Sequence, residues 1–146
     1  MSLDIEIDDT PTKIEVARGK INNPEMAKRL NDFSGLRWGN ITPTDIDGFV
    51  EFSDKAYVFF ETKKNGAEIK YGQKLALQRV CDAIEDSGRY SLALILDYEK
   101  YNSDGEIDVA NSIVREGRYK KKWRTTKNTT AKTLVDKFLR KSGIIK

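Results

Sequence analysis

Phe60-Glu61-Thr62-Lys63 is the stretch of this chain whose residue types and spacing could do chemistry. It closes an apolar run that begins at Ala56, and such a run reads as a strand. Side-chain direction in a strand repeats every two residues, so Glu61 and Lys63 project from one face. Both charges sit where a buried strand leaves its sheet, whereas a merely structural pair belongs more often on a solvated face. Asp47 lies fourteen residues before Glu61, and a hairpin turning at Ser53-Asp54-Lys55 brings its carboxylate near. Two carboxylates with backbone carbonyls and water make a hard oxygen site suited to Mg²⁺ or Mn²⁺. An ion held there polarises a phosphodiester oxygen and generates hydroxide from water near neutral pH. Lys63 would orient that water or stabilise charge in the transition state.

Composition narrows the alternatives. The 146 residues include no histidine and one cysteine, Cys81. That removes Ser-His-Asp and Cys-His catalysis, His-ligated zinc and an intrachain disulfide framework. A carboxylate–metal–lysine site is among the few hydrolytic options left. The net charge of +3 is unevenly spread. From Arg115 to the end there are twelve Lys/Arg and two acids, a net of +10. The preceding residues carry fourteen basic and twenty-one acidic side chains, a net of −7. A basic C-terminal part (115–146) beside an acidic body suggests a polyanionic partner; a solvated basic helix and hairpin is the competing reading. No run reaches the length of a membrane span, and the N-terminus is acidic, so the expectation is a cytoplasmic protein with no membrane partner.

The elements that must position these residues follow from the patterning. Length fits one domain over 1–146, with 1–12 an accessory or flexible segment. Asn22-Asn23-Pro24-Glu25 opens a helix to about Phe33. Ile41 to Phe52 reads as a strand with a bulge at Gly48, paired as a hairpin with Ala56 to Lys63. Gly72 to Asp86 forms a helix with Leu77, Val80, Cys81 and Ile84 on one stripe. Ser91 to Leu96 is a buried central strand. Asp108 to Val114 is a further strand, and Tyr119 to Thr126 a basic strand or loop. Thr129-Thr130 caps a last helix whose Leu134, Val135, Phe138 and Leu139 face inward, with Lys132, Lys137, Arg140 and Lys141 away from that stripe. The fold class is α/β, a central mixed β-sheet flanked by helices.

Asp47 followed by Gly48-Phe49-Val50, then an apolar strand into Glu61-Thr62-Lys63, resembles the core of the PD-(D/E)xK nuclease superfamily. Gly72-Gln73 with Gln78, opening the helix after the Glu-x-Lys strand, is similar to the helix that follows the active-site strands in several branches. Small members of this kind include Holliday-junction resolvases and VRR-NUC-like, phage-associated nucleases. The resemblance spans about Pro24 to Tyr98. It implies a restriction-endonuclease-like core of αβββαβ type and a Mg²⁺- or Mn²⁺-dependent deoxyribonuclease, an endonuclease acting on DNA that includes branched or structured forms. It implies Asp47 and Glu61 as metal ligands, the Thr62 carbonyl as a third, Lys63 as the catalytic lysine, and Gln73 and Gln78 near the site in contact with water, metal or phosphate, Gln73 as part of the catalytic set. Glu25 matches the place of an additional acid, although acids in a first helical turn are also favoured by the helix dipole. The superfamily's proline precedes its aspartate, and here the nearest is in Pro43-Thr44-Asp45-Ile46-Asp47, which leaves Asp45 as the alternative ligand. Resolvase-like members are symmetric dimers, so the resemblance allows a homodimer, for which the sequence itself carries no sign.

Structural readings stand beside these. Glu61 and Lys63 could be a cross-strand ion pair of little energetic consequence, and Asp45 or Asp47 simple turn residues. The run Arg118 to Arg124 interleaves aromatics and cations. Arg118, Lys120, Lys121, Lys122 and Arg124 could neutralise phosphates, and Trp123 or Tyr119 could stack on a base; the same aromatics could instead pack on the core. A nucleic-acid-binding module on the same fold, without catalysis, is the alternative function.

Overall fold

The computed structural model describes residues 32–99, 101 and 105–146. The chain divides into two compact units, Met1–Pro43 and Thr44–Lys146. In the first, the described residues form a turn in which Leu36 N–H donates to the Phe33 carbonyl at 2.8 Å. Trp38 and Ile41 exchange both backbone hydrogen bonds across a tight reversal. The expected helix from Asn22, and with it Glu25, lies outside the described residues apart from 32 and 33, which are not helical; the expected accessory segment 1–12 lies outside them entirely.

The second unit is a mixed five-stranded sheet: β1 (Gly48–Phe52), β2 (Ala56–Lys64), β3 (Tyr90–Tyr98), β4 (Ile113–Tyr119) and β5 (Lys122–Arg124), in that spatial order. Helix α1 (Tyr71–Asp86) links β2 to β3, and α2 (Ala131–Lys141) closes the chain. β2 and β3 run parallel, which requires a crossover such as α1; every other pairing is antiparallel. The α/β class and the mixed sheet between helices are therefore as expected.

Strand alternation sorts the apolar side chains into two layers. Val58, Leu92, Leu94, Leu96 and Val114 pack with Ala131, Phe138 and Leu139 of α2. Phe59 and Ala93 pack on the other face with Leu77 and Cys81 of α1. β3 is buried from Ser91 to Leu96, as its unbroken apolar run implies. Helix α1 ends at Ser87, and Gly88 follows at φ 86°, the left-handed position that terminates helices. Thr130 Oγ1 accepts from Thr133 N–H and caps α2.

Three expectations are corrected. The strand before β2 starts at Gly48, not Ile41, and pairs without a bulge from Gly48↔Phe60 to Phe52↔Ala56. A Cβ at residue 48 would come within 3.2 Å of the Phe60 ring, so glycine is there for close packing. The bulge lies elsewhere: Ile95 faces Glu116 while Leu96 faces Val114, leaving Arg115 as the extra residue of β4. Finally, residues 108–112 form a turn, and the strand expected there runs from Ile113 to Tyr119. Asp108 begins that turn: Asn111 Nδ2 donates to its carboxylate at 2.6 Å and Ser112 Oγ to its carbonyl at 3.0 Å. Among the described residues no helix is long and apolar enough to cross a membrane.

Candidate metal centre and active site

Glu61 lies on the α1 face of β2, next but one to Phe59, and only 3% of it is exposed. Lys63, one step further along that face, places Nζ 3.1 Å from Glu61 Oε1. The other oxygen, Oε2, is buried with no hydrogen-bond partner. An orphaned buried carboxylate oxygen is costly. Burial pushes the Glu61 carboxyl above its ordinary range; the Lys63 hydrogen bond pulls it back, the Asp47 charge raises it again, and Gln73 opposes weakly.

Asp47 sits one residue ahead of β1, beside the end of β2. Its Oδ2 accepts from Thr62 N–H at 2.8 Å and from Thr62 Oγ1 at 3.1 Å. A strand residue points N–H and C=O to the same neighbour, so the Thr62 carbonyl also faces the Asp47 side. Asp47 and the Thr62 carbonyl thus lie at the strand end where Glu61 feels the Asp47 charge. Among the described residues no group of three or more Asp, Glu or Cys side chains converges. A cation there would rest on two carboxylates and a carbonyl, which is a donor set suited to a hard divalent ion. The unpartnered Oε2 is the observation that fits such an ion.

Gln73, in the first turn of α1, donates to the Asp45 carbonyl at 3.4 Å and lies close enough to Glu61 to affect its charge. Asp45 contributes its backbone at this point, and Asp47 is the aspartate whose charge reaches Glu61. Gln78 points elsewhere, and its Oε1 accepts from Trp123 Nε1 at 3.0 Å.

Sequence reasoning missed Asp97 and Arg115. Asp97 leaves β3 in register with Lys63. Arg115 donates to its carboxylate from Nε at 3.0 Å and to the Ala67 carbonyl from NH1 at 2.6 Å, tying down the loop after β2. The bulge makes this possible, since it lets Arg115 and Glu116 both reach the α1 face, where Glu116 meets Lys74 at 2.9 Å. A signal existed: Asp97 ends an apolar run as Glu61 does, and parallel strands bring their C-terminal ends together. Tyr98 also borders the site. Its phenol is held above the usual range, chiefly by its hydrogen bond with Tyr101 and in small part by the Asp47 charge.

The basic run is only partly a free surface. Arg118 is buried, and its guanidinium forms a two-point pair with Asp82 at 3.1 and 2.8 Å. Trp123 packs in the α1 layer beneath Lys74, 4.9 Å from its ring. Lys121 pairs with Asp86, and Tyr119 stands edge-on to Phe138 in the α2 layer. The expectation that Arg118 and Trp123 meet nucleic acid is corrected on this ground: the polar face of α1, at Gln78 and Asp82, takes them up. Lys120, Lys122 and Arg124 remain exposed.

Comparison with family models, with characterised proteins and with solved structures found no match to this chain.

Proposed function

We propose that this chain is a metal-dependent nuclease that hydrolyses phosphodiester bonds of DNA, with Mg²⁺ or Mn²⁺ as its ion and a PD-(D/E)xK-type core. The observation that carries the reading is the buried Glu61 oxygen without a partner, on a carboxylate that pairs with Lys63 through its other oxygen and feels the Asp47 charge at the exit of β2. A bound divalent ion would supply a Lewis acid and a lowered water pKa. The chain's own residues do the rest. Asp47, Glu61 and the Thr62 carbonyl hold the ion, and Lys63 neutralises Glu61 and orients the attacking water. Gln73 fixes the start of α1 against residue 45. Asp97 and Arg115 hold the loop that borders the site. Lys122 and Arg124 are exposed cations able to meet a phosphate backbone.

The test is nicking of supercoiled plasmid by the purified chain during a Mg²⁺ and Mn²⁺ titration, with thermal unfolding followed in parallel. The expected result is metal-dependent nicking, metal-dependent stabilisation, and loss of nicking in Lys63→Ala with the fold retained. Nicking by Lys63→Ala at the rate of the unsubstituted chain would sink the mechanism. Neither nicking nor stabilisation, with DNA binding intact, would favour a non-catalytic binding module.

A further inference from the structure

A cavity of about 390 Å³ opens between the sheet and α2, on the face opposite Glu61. Four cations line it, Lys120 and Arg124 from the β4–β5 hairpin and Lys137 and Lys141 from α2; among the described residues no carboxylate does. Lys137 and Lys141 are spaced i, i+4 and interleave with Leu134 and Phe138, so the helix offers charge and apolar surface together. Thr126 Oγ1, also in the lining, is buried with no hydrogen-bond partner. The volume is that of a small-ligand site. Four like charges lining one cavity, with no acid among its described lining residues, call for a ligand with more than one negative charge. The floor of Leu134 and Phe138 calls for a ligand that is also flat and apolar at one end.

We propose that this cavity binds a nucleotide bearing more than one phosphate charge, its base against the Leu134–Phe138 wall and its phosphates on Lys120, Arg124, Lys137 and Lys141. The same chemistry is offered by a free nucleoside diphosphate and by the phosphorylated end of a single strand. The site stands on the opposite sheet face from Glu61 and does not depend on the metal reading.

Calorimetric titration with ADP, inorganic pyrophosphate, adenosine and a 5′-phosphorylated tetranucleotide tests it. ADP or the tetranucleotide is expected to bind at least about tenfold more tightly than pyrophosphate or adenosine, because only the first two combine both ends. Tighter tetranucleotide binding assigns the site to strands, and tighter ADP binding assigns it to free nucleotides; both support the proposal. Lys137→Ala/Lys141→Ala should weaken the preferred ligand at least about tenfold, while Lys132→Ala, on the Lys132–Asp136 pair outside the cavity, leaves it unchanged. Amide shifts of the unsubstituted chain, which need no variant to fold, should centre on Thr125, Thr126, Lys137 and Lys141. Binding of neither ADP nor the tetranucleotide more tightly than pyrophosphate, undiminished binding by the double variant, or shifts centred elsewhere would overturn it.

Discussion

Asp47 grips the backbone of the residue between Glu61 and Lys63: one carboxylate oxygen takes both the N–H and the hydroxyl of Thr62. The residue proposed to bind metal is thus also a clamp on the strand end, and the two roles separate by mutation. Asp47→Ala should cut cleavage about 100-fold or more and cost only about 1 kcal/mol of stability, because its bonds lie on a solvated edge. Thr62→Val keeps the 2.8 Å backbone bond and loses only the 3.1 Å one; stability should move by less than about 0.5 kcal/mol and activity by less than about tenfold. Urea unfolding and plasmid nicking measure both. Equal activity losses in the two variants would make Asp47 a clamp alone.

The raised Glu61 carboxyl sets a pH dependence. The native state keeps this proton to higher pH than the unfolded chain does. Between the ordinary carboxylate range and the raised native value, the native state therefore holds more protons, and this group's contribution to stability falls as pH rises through that window. Glu61→Gln removes that contribution. Its unfolding temperature, relative to that of the unsubstituted chain, should climb as pH rises from the ordinary carboxylate range toward neutrality. Saturating Mn²⁺ should raise the unfolding temperature of the unsubstituted chain at neutral pH and leave Glu61→Gln unmoved. A constant difference across pH would show that Glu61 titrates normally.

Much of the fold and of the site is legible in the residue order. Unbroken apolar runs locate β2 and β3, period-3.6 stripes locate α1 and α2, and the Glu-x-Lys exit locates Glu61 with Lys63. What stays hidden depends on the partner element. A glycine inside an apolar run suggests a bulge, yet Gly48 answers to the Phe60 ring across the hairpin. The true bulge at Arg115 leaves no mark in composition, since it is visible only against β3. Arg118 and Trp123 read as a nucleic-acid surface because sequence shows their charge and aromaticity but not Asp82 and Gln78, which lie 36 and 45 residues away in the chain.

Cations that hold the fold and cations that meet a ligand are distinguishable by experiment. Arg118→Ala leaves Asp82 without its two-point partner and should cost about 2–3 kcal/mol. Any change in DNA affinity should vanish once folding is restored by lower temperature. Lys122→Ala, at an exposed position of β5, should leave stability within about 0.5 kcal/mol and reduce the salt slope of DNA binding by about 1. Chemical denaturation and anisotropy at several salt concentrations distinguish them. A normal unfolding curve for Arg118→Ala would contradict the assignment.

Cys81 is buried on the sheet side of α1, where its carbonyl accepts from Ser91 Oγ, and burial pushes its thiol up to about 11. The thiolate is the reactive form, so a disulfide reagent at mildly alkaline pH should modify it only as fast as the chain opens. Modification should speed up with urea in step with unfolding. Fast labelling of the native chain would show that the α1 layer is open there.

Arg115 sets the phase of everything that follows it in the sheet. Upstream of it Val114 faces α2; downstream, Glu116 and Arg118 face α1 while Gly117 and Tyr119 face α2. Straightening β4 with all its residues in place would invert the remainder of the strand. Glu116 and Arg118 would then be driven into the apolar layer under α2, and Tyr119 out toward the helix that holds Asp82. Deleting Arg115 outright would do no such thing, because Glu116 would follow Val114 in strict alternation and keep its face; only the tie to Asp97 and Ala67 would go. The frame of the C-terminal sheet, and with it which cations the molecule spends on itself and which it shows to others, is counted from a single supernumerary residue.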